Sequence, residues 1–265
     1  MAQVTASDDG GVRLLTIANP PLGYMNAETA TELLDHLREA QTDDAVRVIV
    51  FTGGVPGVFI RHYDVGEIVA VGEIAASGAG GEAGERADSP VYAMFDLLLD
   101  YPKPTIAAIN GMCMGGGFEF ALGCDIRIAQ HGDYTIGLPE TRLGIIPGLG
   151  GLQLLSHVVG LARAKEMVLR GRVVDPHEAL RLGMVHELAS DALAQAMDVA
   201  RDLALLPQGG LAAVKRMAAL VSAGEALDQG INTAATEFMG TLLANDEAMS
   251  RMREFLAGGE DIVAR

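Results

Sequence analysis

One stretch of the chain combines three consecutive glycines with a single acidic residue in an otherwise apolar setting: GMCMGGGFEFALGCD, residues 111–125. The apolar run before it, TIAAIN, predicts a strand, and the residues after the glycines predict a helix. Glu119 then lies in the first turn of that helix. Because a buried carboxylate is costly unless it is paired or hydrogen-bonded, Glu119 is a candidate functional residue.

A strand, a glycine turn and a helix can together form an oxyanion site. The first N–H groups of a helix have no internal partner, and the positive end of the helix dipole lies behind them. Glycines allow a substrate to approach this backbone closely, which suits stabilisation of an oxyanion that forms during a reaction. The alternative is close packing of helix on strand, with Glu119 serving as the partner of the helix dipole.

A second acid follows in YTIGLPETRLGIIPGLGGLQLL, where Glu140 comes after Pro139 at a predicted helix start. Two glutamates in apolar sequence, each beside a helix start, suit general acid–base catalysis. The alternative is that Glu140 pairs with Arg142 or caps a helix.

Composition excludes several classes of protein. The 265 residues include 19 basic and 35 acidic ones, a net charge of −16, which disfavours nucleic-acid binding and means that an anionic substrate needs a local basic patch. The six histidines form no close ligand pair, and Cys113 and Cys124 have no metal-ligand spacing. We therefore expect no metal site and two small buried cysteines in a reducing cytosol.

Motifs for other chemistries and compartments are missing. The sequence contains no G-x-S-x-G, no phosphate-binding loop and no dinucleotide-binding glycine pattern. No signal peptide is recognisable, since the first basic residue is Arg13; we expect a cytoplasmic protein without membrane contact. The longest uncharged stretch, residues 143–162, contains Pro147 and five glycines, and it predicts a buried loop and helix.

The order of predicted elements indicates an α/β body followed by a helical tail. Strands are predicted near residues 12–18 and in VRVIVFTGG, TIAAIN and DIRIAQ, and a helix is predicted after Asn26, a good N-cap. Strands alternating with helices favour a substantially parallel sheet. After Asp191 only helical patterns remain. Residues 65–89, rich in Gly, Ala and Glu, predict a mobile loop with a short helix at its start.

PKPTIAAINGMCMGGGFEFALGCDIRIA followed by IGLPETRLGIIPGLGGLQLL resembles the enoyl-CoA hydratase/isomerase (crotonase) superfamily. LLTIANPP, VRVIVFTGGVPGVFI, RGRVVDPHEALRLGMVHEL and LLANDEAMSRMREFL extend the likeness over nearly the whole chain. The resemblance implies an α/β fold with a crotonase-like ββα spiral core over residues 1–195 and a C-terminal helical assembly region over residues 196–265. It also implies a homotrimer or hexamer, an acyl-CoA substrate, and no cofactor other than the coenzyme A of the substrate.

The resemblance further assigns roles to individual residues of an acyl-CoA lyase that hydrates a 2-enoyl-CoA. Glu119 would hold and deprotonate the attacking water, and Glu140 would protonate the α-carbon. The backbone N–H groups of Tyr63 and Gly116 would form the oxyanion hole for the thioester enolate. The implied substrate-binding positions are Arg61, His62, Asp64, Gly115, Gly117, Pro139 and Gly148.

The first oxyanion loop, FIRHYDVGEI, departs from the family pattern A-G-x-D-[LI]. His62 replaces the glycine, and we expect it in a conformation that glycine tolerates better. The lysines that meet CoA phosphates in many hydratases are replaced by glycines here. Arg61 and His62, or Lys215 and Arg216 in the tail, are possible substitutes as phosphate contacts; the alternatives are a solvated loop and an ordinary helix surface.

Three functions remain compatible with the sequence. Hydration is favoured because isomerases of the superfamily typically keep the acid corresponding to Glu140 and lose the one corresponding to Glu119. Double-bond isomerisation, or another crotonase-type enolate reaction, is the second. A non-catalytic acyl-CoA-binding homologue, with Tyr63 plugging the pocket, is the third.

Overall fold

The computed structural model describes residues 3–77 and 89–258, and the chain forms two compact units that divide after Leu203. The strands are β1 (Val4–Asp9), β2 (Val12–Ile17), β3 (Val48–Gly53), β4 (Val58–Ile60), β5 (Thr105–Ile109), β6 (Met112–Met114), β7 (Ile126–Gln130), β8 (Ile136–Gly137), β9 (Val173–Val174) and β10 (Glu187–Ala189). The helices are α1 (Ala27–Thr42), α2 (Val65–Ala76), α3 (Pro90–Leu99), α4 (Gly116–Gly123), α5 (Gly151–Val159), α6 (Leu161–Leu169), α7 (Pro176–Leu182), α8 (Ala192–Ala204), α9 (Gln208–Ser222), α10 (Leu227–Glu237) and α11 (Asp246–Gly258).

The strands of the first unit lie in two sheets, of order β1-β2-β3-β5-β7-β10 and β4-β6-β8-β9. The neighbours from β2 to β10 in the large sheet are parallel, as are β4-β6 and β6-β8 in the small one. In three successive strand pairs, β3/β4, β5/β6 and β7/β8, the first strand lies in the large sheet and the second in the small sheet. The chain therefore winds as a spiral of strand–strand–helix turns, which confirms the predicted ββα core.

The central strands of the large sheet are buried along their whole length. All six residues of β3 and all five of β5 are buried, as expected for parallel strands covered on both faces. This is why VIVFTG and TIAAI read as continuous apolar runs without alternation, and the strands predicted there are confirmed.

Helix α1 begins where the sequence predicts. The Asn26 side chain accepts a hydrogen bond from the Thr29 N–H at 2.8 Å, which satisfies one of the donors left free at a helix start. Leu33, Leu34 and Leu37 are buried on one face, so the 3.6-residue spacing of apolar positions in the sequence corresponds to the side that faces the core.

The prediction of a buried loop in residues 143–162 is wrong. Leu143 ends the 3₁₀ turn Glu140–Leu143 and is 64% exposed, and Ile146, in the exposed loop that follows, is 75% exposed. Absence of charge does not bury a loop, because its backbone polar groups still need partners, which solvent provides at the surface. The predicted helix is present as α5.

The segment 65–89 begins with a longer helix than predicted. Helix α2 has 12 residues, and its first turn has a capping contact, since the Asp64 carboxylate accepts from the Gly66 N–H at 2.7 Å. The prediction of a mobile loop falls on residues 78–88, which lie outside the described residues.

The described part of the second unit is helical, as the sequence predicts. It consists of α9, α10, a π-helical turn at Phe238–Leu242 and α11. The family resemblance predicts a boundary between residues 195 and 196, and α8 spans that position. Among the described residues, no helix combines the length and apolar character needed to cross a bilayer.

Candidate active site

The glycine triplet 115–117 serves both packing and access to a carboxylate. Gly115 has φ +52°, and a Cβ there would lie 3.1 Å from Glu140 Oε1. A Cβ on Gly117 would lie 2.2 Å from the Ile60 carbonyl oxygen, so no side chain fits there. The first glycine thus faces the second acid, and the third allows α4 to pack on β4. The packing interpretation therefore applies at Gly117, while Gly115 lies beside the candidate acid Glu140.

Glu119 is almost completely buried, with 2% of its surface exposed, and it is held from outside its own helix. Its Oε1 accepts hydrogen bonds from the N–H groups of Leu149 and Gly151, both at 2.8 Å. Gly151 is the first residue of α5. Glu119 is therefore a partner of the α5 N-terminus, a contact that the sequence analysis did not foresee.

Glu140 is buried and unpaired. Only 9% of its surface is exposed, and within the part of the chain that the structure describes neither carboxylate oxygen has a hydrogen-bond partner. Arg142 is exposed and forms no ion pair with it, so the alternative of a Glu140–Arg142 pair is wrong. A buried carboxyl group without partners is rare in folded proteins and indicates a place where a ligand supplies the contact.

Both glutamates have raised pKa values. Burial, supported by the charge of Glu140, raises the pKa of Glu119 to about 7, although the hydrogen bonds from Leu149 and Gly151 act in the opposite direction. Burial raises the pKa of Glu140 to about 7 as well. Near neutral pH each carboxyl group can accept or donate a proton, which is the condition for general acid–base work.

The turn of residues 61–64, which the family resemblance assigns to the oxyanion hole, is fixed against Met25 by two backbone hydrogen bonds. Met25 N–H donates to the His62 carbonyl at 2.9 Å, and Asp64 N–H donates to the Met25 carbonyl at 2.8 Å. Tyr63 thus forms a parallel bridge with Met25, and its own N–H points to the opposite side of the strand.

The N–H groups of Tyr63 and Gly116 lie close together. The Tyr63 nitrogen is 3.4 Å from the position that a Cβ of Gly116 would occupy. Gly116 opens α4, so its N–H has no intrahelical acceptor. The two N–H groups proposed from the family resemblance as an oxyanion hole are therefore adjacent in space, at the edge of the region that contains Glu140.

His62 does not adopt the expected glycine-like conformation. Among the described residues, only glycines have positive φ, so that prediction is wrong. The His62 ring instead makes its own contacts: Nδ1 lies 2.7 Å from the Tyr63 carbonyl oxygen, and the ring centroid is 4.6 Å from that of Tyr24. These contacts hold the turn in an ordinary backbone conformation.

The Tyr63 side chain is tied to two helix starts. Its hydroxyl donates to the carboxylate of Glu67 in α2, and the same carboxylate oxygen accepts from the Ala27 N–H of α1 at 3.0 Å. Burial, and then the hydrogen bond to Glu67, raise the pKa of Tyr63 above its usual range. Glu67, in the first turn of α2, was missed by the sequence analysis, because Tyr63 precedes that helix and the helical four-residue spacing therefore does not predict the contact.

The remaining sequence-predicted positions belong to both units of the chain. Arg61 is half-buried, and its N–H donates to the Gly23 carbonyl at 2.8 Å. Pro139 directly precedes Glu140, and Gly148, which is exposed, directly precedes Leu149. Lys215 and Arg216 lie on α9 in the second unit, where Arg216 forms an ion pair with Glu237.

Comparison with known proteins defines the family. The model of the family described as enoyl-CoA hydratase/isomerase matches residues 7–257, and the chain belongs to this family. It is 36% identical over 204 residues to a probable enoyl-CoA hydratase of Bacillus subtilis, covering 77% of this chain and 75% of that protein.

Two further relatives extend the comparison. The chain is 34% identical over 200 residues to the fatty acid oxidation complex subunit alpha of Idiomarina loihiensis, which covers 74% of this chain but only 27% of that longer protein. The solved structure of enoyl-CoA hydratase from Thermoplasma volcanium is 28% identical, with a TM-score of 0.84 over 96% of this chain and 98% of that one. The likeness in structure thus extends over nearly the full length described.

Proposed function

We propose that this protein hydrates a 2-enoyl-CoA thioester by syn addition of water. The observation that carries the proposal is the pair of buried glutamates in a chain of the enoyl-CoA hydratase/isomerase family: one is held by the start of α5, and the other has no hydrogen-bond partner among the residues that the structure describes. The names of the relatives, which include several hydratases, support the same reaction.

Charge develops first on the thioester oxygen. When water adds to C3, electrons move onto the carbonyl and an enolate forms, which the N–H groups of Tyr63 and Gly116 stabilise. Such donors accelerate the reaction because they bind the transition state more strongly than the ground-state carbonyl.

The two carboxyl groups then transfer the two protons of the reaction. Glu119, ionised, takes one proton from water while the oxygen bonds to C3, and Glu140, protonated, gives one proton to C2. This requires one proton on the pair at the start of turnover. With both pKa values raised to about 7, the singly protonated pair is well populated near neutral pH.

Assembly and CoA binding form a further part of the proposal. Exposed apolar side chains on the second unit, among them Val214, Val221, Leu227, Ile231 and Leu256, support its use as an assembly surface, and we propose a homotrimer or hexamer. Lys215 and Arg216 are the proposed phosphate contacts, since the net charge of −16 makes a local basic patch necessary. A cytoplasmic location stays a prediction from the sequence.

A panel of 2-enoyl-CoA thioesters tests the reaction. Hydration removes the absorbance of the conjugated thioester and adds one water to the mass. E119Q, which is nearly isosteric, should lose hydration but keep solvent deuterium exchange at C2 of a saturated acyl-CoA. Wild-type hydration rates in E119Q would contradict the two-glutamate mechanism.

Double-bond isomerisation is the second candidate, because a proton shuttle between carbons needs a single carboxylate, and that of Glu140 has no hydrogen-bond partner among the described residues. It replaces the first proposal if the wild type exchanges the C2 proton but hydrates no member of the panel. If neither reaction occurs, the third interpretation remains, in which the protein binds acyl-CoA without catalysing a reaction.

A further inference from the structure

In the two peptide units that flank Tyr63, one polar group has no hydrogen-bond partner among the described residues. The His62 carbonyl accepts from Met25, the Asp64 N–H donates to Met25, and the Tyr63 carbonyl accepts from the His62 ring. Only the Tyr63 N–H has no partner in these contacts. The orientation of this donor therefore depends on how firmly the peptide units on both sides of Tyr63 are held.

The His62 ring holds one of those two units. A carbonyl oxygen can only accept, so Nδ1 of His62 carries the proton and donates to the Tyr63 oxygen at 2.7 Å. The stack on Tyr24, with ring centroids 4.6 Å apart, limits rotation of the imidazole. The bond joins the side chain of one residue to the carbonyl of the next, and so restricts the torsions between them.

His62 also lies next to the acid–base site. A Cβ built on Gly115 would come within 3.4 Å of His62 Cβ and within 3.1 Å of Glu140 Oε1. The ring is half-buried. A loosened turn at this place would change the position of the oxyanion donor relative to the carboxyl group that exchanges a proton with C2.

We propose that His62 is a positioning residue, whose Nδ1–H···O=C bond to Tyr63 orients the Tyr63 N–H toward the thioester oxygen. The inference rests on the proposed function and deepens it: the imidazole replaces, by a side-chain contact, the backbone geometry that a glycine would provide at this position. His62 is then part of the oxyanion hole by its effect on the backbone, and not a phosphate ligand.

Two variants separate the hydrogen bond from the ring. H62F keeps an aromatic ring for the stack on Tyr24 but has no donor. H62N has no ring, but its side-chain amide nitrogen can reach nearly the place of Nδ1. H62L replaces H62F if thermal unfolding shows that H62F does not fold.

Two measurements are made on each variant. The first is kcat and KM for hydration. The second is the infrared carbonyl stretch of a bound saturated acyl-CoA labelled with ¹³C at the thioester, which reports hydrogen bonding to that oxygen and requires no turnover.

We expect H62F to lower kcat by about 10- to 100-fold with little change in KM, because small displacements of a catalytic group act mainly on the transition state. The downshift of the carbonyl frequency should shrink in H62F and return, together with most of kcat, in H62N. A purely structural role would not produce this rescue.

Equal kcat and equal carbonyl frequency in H62F and the wild type would overturn the inference, as would equal impairment of H62F and H62N. The inference is also overturned if the wild-type protein does not shift the carbonyl frequency of the labelled acyl-CoA, whether because the ligand does not bind or because its oxygen accepts no hydrogen bond. If the wild type hydrates no enoyl-CoA, the proposed function fails, while the carbonyl frequencies still decide the role of His62.

Discussion

Substitution of Gly151 by alanine should displace Glu119 without removing any polar group. A Cβ at this position would lie 2.9 Å from both Cγ and Oε1 of Glu119 and 2.8 Å from the Pro147 Cβ. Gly151 does not have positive φ, so alanine causes no backbone strain of its own. The perturbation is purely steric and acts on the carboxylate assigned to the attacking water.

The size of the effect follows from these distances. Ordinary contacts of a Cβ begin near 3.4 Å, so Glu119, Pro147 or the start of α5 must move by about 0.5 Å or more, and displacements of this order cost up to about 100-fold in rate. Overpacking of a core should lower the free energy of unfolding by about 1–3 kcal/mol.

Hydration of the best enoyl-CoA of the panel, with kcat and KM determined separately, is the assay. G72A provides the matched control, because a Cβ on Gly72 in α2 meets no atom within 4 Å; its kcat should equal that of the wild type. Thermal unfolding of both variants separates a local displacement from loss of the fold. If G151A keeps the wild-type kcat, then the contact between Glu119 and the start of α5 does not position the water.

E140Q should fold normally and lose about 10²–10⁴ in rate, both in hydration and in C2 deuterium exchange; full exchange in this variant would remove Glu140 from the mechanism. Stability should fall as pH rises from about 4.5 to about 7, because the pKa values of Glu119 and Glu140 are raised in the folded state and the unfolded chain loses its protons first; urea unfolding at pH 5 and pH 7.5 measures the difference, which should be smaller in E140Q. Alanine at both Lys215 and Arg216 should weaken CoA binding and flatten its salt dependence, since attraction to phosphate is screened by ions; calorimetry that finds the same salt dependence as in the wild type argues against this patch. Light scattering at micromolar concentration should give the mass of a trimer or hexamer, and a monomer would contradict the assembly proposal.

The main strands and helices and the two acids were predictable from the amino-acid sequence. The buried strands, the Asn26 cap of α1 and the helix after the glycine triplet depend on residues close together in the chain, so their periodicity and capping residues are visible without the fold. Glu119 and Glu140 were predictable for a related reason: each is a single acid in an apolar segment beside a helix start, in motifs that resemble one family.

The contacts of these residues, in contrast, depend on the tertiary structure. Glu119 is held by N–H groups 30 and 32 residues away in sequence. The carboxylate of Glu67 accepts from the Tyr63 hydroxyl and also from the N–H of Ala27, which is 40 residues away. That Glu140 has no hydrogen-bond partner in the described part of the chain is likewise a property of its surroundings. Such contacts depend on how successive turns of the spiral stack, and the packing of distant segments leaves no local pattern in the chain.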